Sequence, residues 1–475
     1  MNYEMVVGLE THLELSTDSK LFCGCSTAFG APPNTHCCPV CTGMPGALPV
    51  LNRQALYLAI KAGLATGCTI HTETYADRKQ YHYPDLPRAF QITQFSHPLC
   101  TDGHLTLSNG NVIRIERIHI EDDAGKLIRE ADGVKADYNR CGVPLIEIVT
   151  APDFRSVGEI TEYLERLQRV MQYVGVSDGK MQEGSMRCDV NISVRPAGST
   201  VLGTRTEIKN MNSFRFIEQA VTFETARQIA CLQHGETVVQ ETRRYNEHTK
   251  QTESMRGKED ATDYRYFREP DLGCIHLSQE EIAACREQFP ELPDLRFARY
   301  REWGLSEKEA NDIVKYRAVA DYFERASAGV SPVTTARLLT GAVFSRVADE
   351  SAKQRGEMPI SAAHLHRLVQ LIDRGELRQN VAKRILEKMM DTGRSPDDLI
   401  TDADRKTVDA DALAALCRQV IADNPRAVAD VRGGKTIAVR ALIGGVMKAS
   451  RGTADAREAE RILLQLLETE KSENE

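Results

Sequence analysis

Five segments of the chain carry ionisable side chains on what must be one face of a strand. In MVVGLETHLEL (5–15), Met5, Val7, Leu9, Thr11 and Leu13 share one face, while Glu10 and His12 share the other. That follows because successive strand side chains alternate. In RIHIEDD, Ile118 and Ile120 face one way and Arg117, His119 and Glu121 the other, with Asp122 and Asp123 at the strand end. SMRCDVNISV separates Met186, Cys188, Val190, Ile192 and Val194 from Arg187, Asp189 and Asn191, and RTEIKNMNSF presents Arg205, Glu207 and Lys209 together. A solvated sheet face accounts for any one of these strands alone. PLIEIVT resists that reading: Glu147 lies among Leu145, Ile146, Ile148 and Val149, where an unpaired carboxylate is costly. If the five faces converge, their carboxylates repel and a cation must offset them. Oxygen ligands with one histidine suit magnesium or manganese better than zinc. Arg187, Lys209 and Arg140 would then meet phosphates. The implied chemistry is a magnesium–nucleotide site on an antiparallel sheet.

A second constellation lies in LFCGCSTAFGAPPNTHCCPVCTG (21–43). Cys23 and Cys25 form one close pair and Cys38 and Cys41 another, which supplies four thiolates for tetrahedral zinc; Cys37 is left over. Four thiolates close the coordination sphere, so this centre clamps a loop and offers no position to a substrate. The other eight cysteines are scattered singly, as in reduced cytosolic proteins. A third feature is basic. Between Asn424 and Gly452, Arg426, Arg432, Lys435, Arg440, Lys448 and Arg451 are opposed only by Asp430. The GGKT within it is not a phosphate loop, because Ala429 stands where that motif needs glycine and no strand precedes it. Amides at Gly433, Gly434 and Lys435 could instead meet an RNA phosphate.

The elements that position these residues fall into three parts. Strand-type segments with Gly, Pro and Asp turns run to FPELPDLRF, where Pro290 and Pro293 mark a change to helical spacing. An Asp-rich connector, TGRSPDDLITDADRKTVDADA, precedes a small helical tail. The expectation is an α+β chain: an antiparallel-sheet catalytic cradle over residues 1–293, a helical domain over 294–407 and a tail over 408–475. Ser156 with Glu159 makes a capping box, and an apolar stripe from Val157 to Val174 ending at Gly175 predicts a helix there. Composition is that of a soluble globular protein, 41% hydrophobic and 27% charged, without a membrane-length apolar run or a signal sequence. A cytoplasmic location is expected. The net charge of −8 argues against nucleic acid covering the whole chain but permits a local basic patch.

The chain resembles, essentially end to end, the B subunit family of the bacterial-type tRNA-dependent glutamyl/aspartyl amidotransferase. The resemblance is carried by GLETHLEL, YHYPDLPRAFQITQF, IHIEDDAGK, DYNRCGVPLIEIVTAPD, GSMRCDVNISVRP, EIKNMNSF, QETRRYNEHT and DYRYFREPDL. It implies a ligase that uses ATP and Mg²⁺ to phosphorylate the side-chain carboxylate of Glu on tRNA(Gln) or Asp on tRNA(Asn). Ammonia from a partner amidase A subunit then displaces the phosphate, and a small C subunit completes a heterotrimer. The family's magnesium ligands correspond to Glu10, His12, Glu147, Asp189 and Glu207, with Glu10, His12, Asp189 and Glu207 as the catalytic set. In HIEDDAGK the commoner family pattern has a second Glu where this chain has Asp122, so Asp122 and Glu121 both stand as candidates. The family's tail binds tRNA, which draws Arg432, Lys435 and Lys448 into that role. Two other classes compete: a non-catalytic zinc-bearing tRNA scaffold, which would not need acids on five strands, and a metal-dependent phosphohydrolase using the same carboxylates.

Overall fold

The alternation read in the sequence is realised in one large sheet of a computed structural model that describes residues 2–131, 133–257, 264–401, 404, 410–432, 438–450 and 454–472. Its nine strands are β1 (Tyr3–Glu14), β2 (Thr69–Ile70), β3 (Cys100–Thr106), β4 (Val112–Asp122), β5 (Pro144–Thr150), β6 (Met186–Pro196), β7 (Thr206–Lys209), β8 (Glu241–Asn246) and β9 (Gln251–Gly257). They lie in the order β9-β8-β7-β6-β1-β5-β4-β3-β2, so β1 is central. Helices α1 (Arg53–Ala65), α2 (Val157–Tyr173) and α3 (Phe214–Gln233) connect β1 to β2, β5 to β6 and β7 to β8. The expectation of a wholly antiparallel sheet needs one correction: β7 and β8 run parallel. The cause is α3, since a strand that returns through a helix re-enters the sheet in the same direction.

One face of the sheet is dry. Val7, Leu9, Leu13, Ile118, Ile120, Ile146, Ile148, Val190, Ile192 and Ile208 join Ala59, Ile60, Leu164, Leu167 and Val221 of the three helices in a single core. Each of the Val, Leu and Ile side chains contributes about 1.5–3 kcal/mol by leaving water. The helix foreseen after Ser156 forms as expected. Ser156 Oγ accepts from the Glu159 N–H at 3.3 Å, and the Glu159 carboxylate accepts from the Ser156 N–H at 3.1 Å. Gly175 follows at φ +71°, the left-handed position that glycine adopts without a Cβ penalty.

The chain divides into two units, Met1–Glu302 with Val314–Arg317, and Trp303–Ile313 with Ala318–Glu475. The helix Pro293–Glu302 therefore belongs with the sheet, where Arg296 is buried with its guanidinium 5.7 Å from the Tyr173 ring. The second unit is helical in its described residues. Near its end, helices Ala410–Asp423, Pro425–Arg432, Val439–Ala449 and Ala456–Ser472 share a core of Leu413, Cys417, Val420, Leu442, Val446 and Leu463. Gly445 permits that approach: a Cβ there would meet Val420 Cγ1 at 2.9 Å. No helix among the described residues is long and apolar enough to cross a membrane.

Candidate active site

The register of the central strands sets the polar side chains in rows across the other face. Glu10 of β1 stands opposite Asp189 of β6 and Val149 of β5, and Val149 stands opposite Arg117 of β4. Two residues on, His12 stands opposite Arg187 and Glu147, and Glu147 opposite His119. Two residues back, Gly8 stands opposite Asn191, which faces Glu207 of β7. Convergence of the five strand faces, assumed in reading the sequence, is thus a consequence of strand order and register.

The rows create two groups of ligand type. In the first, His12 Nε2 lies 3.9 Å from Glu121 Oε2 and 3.7 Å from Glu147 Oε2. In the second are Glu10, Asp189 and Glu207, and within each group one ligand atom per residue lies within 4.8 Å of the others. The donor sets, one imidazole with two carboxylates and three carboxylates, fit hard divalent cations. The protein's own cations already gather there. His119 Nε2 lies 3.1 Å from Glu147 and 3.2 Å from Glu121. Burial works against protonating His119, but Glu147 and Glu121 outweigh it and push the imidazole up to about 9. The same attraction, from His119 and His12, overrides burial at Glu147 and holds its carboxyl well below the usual range. In the second group the Lys209 ammonium bonds Asp189 and reaches Glu207 at 2.8 Å. Burial opposes the charge on Lys209, yet Asp189 and Glu207 raise it above the ordinary lysine value. Glu10 is raised by burial and then by Glu147, partly offset by a 2.8 Å bond from Asn191 Nδ2.

Of the two candidates, Glu121 lies with His12 and Glu147, and the structure corrects the placing of Asp122, which stands apart from them. Asp122 shares strand parity with Ile118 and Ile120, so it points away from the polar face. There it is fully buried, accepting from the Ile92 N–H at 2.8 Å and pairing with Arg88. Glu121 is held on the polar face by Thr93 Oγ1 at 2.6 Å and Gln91 Nε2 at 3.1 Å. His119 is visible in the sequence on the polar face of its strand but is absent from the candidate set. The signal for it is its place two residues before Glu121.

Arg187 and Arg140 lie further along the face, about Asp123. Arg187 Nη2 donates to Asp123 Oδ2 at 2.5 Å, and Arg140 Nε is 3.4 Å from the same oxygen. Arg140 also donates to the carbonyls of Ala124 and Gly125. Glu14, which the strand pattern alone does not single out, sits beside them; burial and then Asp123 push its carboxyl up to about 8, against the pull of Arg187.

The four expected cysteines also come together: Cys23, Cys25, Cys38 and Cys41 form a third group with every Sγ within 4.8 Å of the others, and Cys37 is not among them. Cys41 is drawn down to about 4 by a hydrogen bond from Cys23 and, beyond the opposing effect of burial, by the Cys38 amide and Lys20. The same interaction pushes Cys23 up, and it is the closeness of the four sulfurs that fits tetrahedral zinc. Lys20 is fully buried, donating to the His36 carbonyl at 2.7 Å with Cys41 Sγ at 3.6 Å. In the tail Lys448 is exposed near the end of its helix. Arg432 closes the helix Pro425–Arg432; its side chain, and Gly433, Gly434 and Lys435, lie outside the described residues.

Known proteins can be set beside this geometry. A family model described as the GatB/GatE catalytic domain matches residues 5–283, and one described as the GatB domain matches residues 321–467. The chain is 47% identical over 470 residues to the B subunit of an aspartyl/glutamyl-tRNA(Asn/Gln) amidotransferase from a Thermoanaerobacter species, covering 98% of this chain and 99% of that one. It is 46% identical over 478 residues to the protein of the same name from Caldicellulosiruptor saccharolyticus, covering 98% and 100%. For the Geobacter sulfurreducens protein the identity is 44% over 477 residues, covering 98% and 100%. With both family models matched in order and relatives aligned over almost their whole length, the chain belongs to the family of amidotransferase B subunits, a family of glutamine-dependent ligase-type enzymes.

Proposed function

We propose that the polar face of the sheet phosphorylates the side-chain carboxylate of Glu on tRNA(Gln), Asp on tRNA(Asn), or both, at the expense of ATP. A carboxylate oxygen attacks the γ-phosphorus, ADP leaves, and an acyl phosphate forms. Ammonia then attacks the carbonyl carbon, loses a proton and expels phosphate, leaving the amide. The observation that supports this reading is the pair of carboxylate groups, His12–Glu121–Glu147 and Glu10–Asp189–Glu207, on the polar face of one sheet with Lys209 between two of the acids. These residues would hold Mg²⁺, which when bound withdraws charge from phosphoryl oxygens. His119 keeps Glu121 and Glu147 aimed inward, and Lys209 offers an ammonium to developing negative charge. Arg187, across the strand pair from His12, and Arg140 gather about Asp123 on the same face, and both remain proposed nucleotide contacts.

The names of the relatives speak of aspartyl and glutamyl tRNA and of one lettered member of an assembly. We carry both to this chain: tRNA as substrate, and an amidase A subunit with a small C subunit as partners in a cytoplasmic heterotrimer. Residues 408–475 are proposed as a tail domain that meets tRNA through Arg432, Lys435 and Lys448. The four cysteines are proposed to hold structural Zn²⁺ as a clamp on the loop after β1.

The test is the substrate requirement for ADP release by the reconstituted complex with ammonia. Release should depend on misacylated tRNA. Release without any aminoacyl-tRNA would favour a phosphohydrolase, and tRNA binding without release would favour a scaffold.

A further inference from the structure

Of the basic residues near the two carboxylate groups, Lys79 lies in the field of Glu121 and Glu147 with its ammonium 5.0 Å from the Tyr264 ring, and four others are engaged. Lys209 is taken up by Asp189 and Glu207, Arg187 by Asp123, Arg140 by Asp123 and two carbonyls, and Arg88 by Asp122. A polyphosphate arriving at the site needs cations that are not committed. Two arginines meet that need. Arg117 on β4 and Arg205 just before β7 have no hydrogen-bond or ion-pair partner among the described residues, and both line one cavity of about 310 Å³.

The cavity lies over the central strands on the polar face. Gly8 and Glu10 of β1 line it, with Asn191 and Ser193 of β6 and Thr150 of β5. A Cβ on Gly8 would meet the Thr150 carbonyl at 3.4 Å and Pro152 Cα at 3.5 Å, so the backbone after β5 bounds the cavity there. Arg117 belongs to the same cross-strand row as Glu10 and Asp189, and Arg205 immediately precedes the strand that carries Glu207 and Lys209. The arginines come from strands on opposite sides of β1, four inter-strand steps or about 19 Å apart along the sheet. They therefore approach one cavity from two flanks. Asn191 ties the cavity to the second carboxylate group through its bond to Glu10.

We infer that Arg117 and Arg205 grip the phosphate chain of a nucleoside triphosphate in the cavity they line with Glu10, beside the Glu10–Asp189–Glu207 group. This rests on the nucleotide chemistry proposed above and adds where the polyphosphate lies. A polyphosphate suits the position better than an RNA backbone because the cavity ends at a divalent-cation type ligand set, which a single phosphodiester does not require. Guanidinium forks bind phosphate oxygens in pairs, which a lysine cannot reproduce.

The experiment is equilibrium binding of nucleotides with Mg²⁺ to the full chain, alone and in its reconstituted complex, for wild type, Arg117→Ala, Arg205→Ala and Arg117→Lys. Each alanine variant should bind ATP and ADP about tenfold more weakly, the usual effect of losing one charged hydrogen-bonding group. AMP should suffer much less, Arg117→Lys should recover part of the loss, and uncharged tRNA should bind as before. Both side chains lack partners among the described residues, so melting temperatures should stay at the wild-type value. ATP affinity unchanged in both alanine variants overturns the inference, as does an equal loss for AMP. Weakened tRNA binding with ATP unaffected also overturns it, by assigning the arginines to RNA. If the wild-type protein binds no Mg–ATP in either form, the nucleotide reading itself fails and takes the inference with it. ATP binding that ignores both arginines leaves that reading standing.

Discussion

At His119, one imidazole faces two carboxylates inside a sheet, and together with Lys79 it offsets the charge of the first group. Removing it leaves Glu121 and Glu147 buried near each other without the group that hydrogen-bonds both. His119→Ala should lose about 3–5 kcal/mol, the usual effect of stripping one partner from a buried pair. Divalent cations should restore part of that, so the melting temperature of the variant should rise more on adding Mn²⁺ than the wild type does. Equal shifts would show that no cation enters there. Strand parity makes a second contrast. Glu121→Gln should lower tRNA-dependent ATP turnover by about 100-fold, as for loss of a group that holds transition-state charge in place. Asp122→Asn should keep most turnover while losing stability, because Arg88 loses its partner. The alternation of Ile118 and Ile120 already favours Glu121, while family resemblance draws the eye to Asp122. The physical signal is in the sequence. His119 and Glu14 are harder to read, since their significance depends on what stands opposite, and register is not written in a single strand.

Among the elements, the site depends on a sheet whose far edge is tied to a helix by a buried carboxylate. Glu224 of α3 is fully buried and accepts from Thr252 Oγ1 of β9 at 2.7 Å, from Gln228 Nε2 at 2.9 Å and from Arg227. Arg243 of β8 lies 3.3 Å away. Burial opposes ionising Glu224, but Arg227, Gln228 and Thr252 outweigh it and hold its carboxyl low. A depressed carboxyl adds stability above its unfolded value of about 4.3, and that stability is lost as pH falls through the folded value. Chemical denaturation should therefore show a steeper loss of wild-type stability below about pH 4.3 than Glu224→Gln shows. Identical profiles would count against the tie. The parallel β7–β8 pair that this helix creates escapes a sequence reading, because strand patterns report faces and not directions. The loop after β1 is more legible: two close cysteine pairs predict the group that forms. Cys38→Ser should abolish zinc content and speed proteolysis within 21–43 while ATP turnover persists. Loss of turnover with an intact fold would make the centre more than a clamp.

Over its full length, an acidic chain must meet an acidic nucleic acid through a restricted surface. Arg426, Arg440 and Lys448 are exposed in the tail, where they have no ion-pair partner among the described residues. Neutralising Lys435 together with Lys448 should weaken tRNA binding and reduce its salt slope by about 1.5, close to one counterion per contact. The defect should appear in KM; a turnover defect at saturating tRNA would contradict it. Composition shifts at Pro290 and Pro293 come near the division between the units, but the helix Pro293–Glu302 stays with the sheet. Burial of Arg296 against Tyr173 decides this, a contact between residues far apart in sequence. The central claim is that the polar face transfers a phosphoryl group to the carboxylate of the aminoacyl-tRNA. Its most direct test is oxygen scrambling in ATP labelled at the β,γ-bridge, followed in the reconstituted complex without ammonia. Wild type should scramble the label only when misacylated tRNA is present, and Glu10→Gln and Asp189→Asn should not scramble it at all. Scrambling that persists in those variants, or that proceeds without misacylated tRNA, would contradict the account.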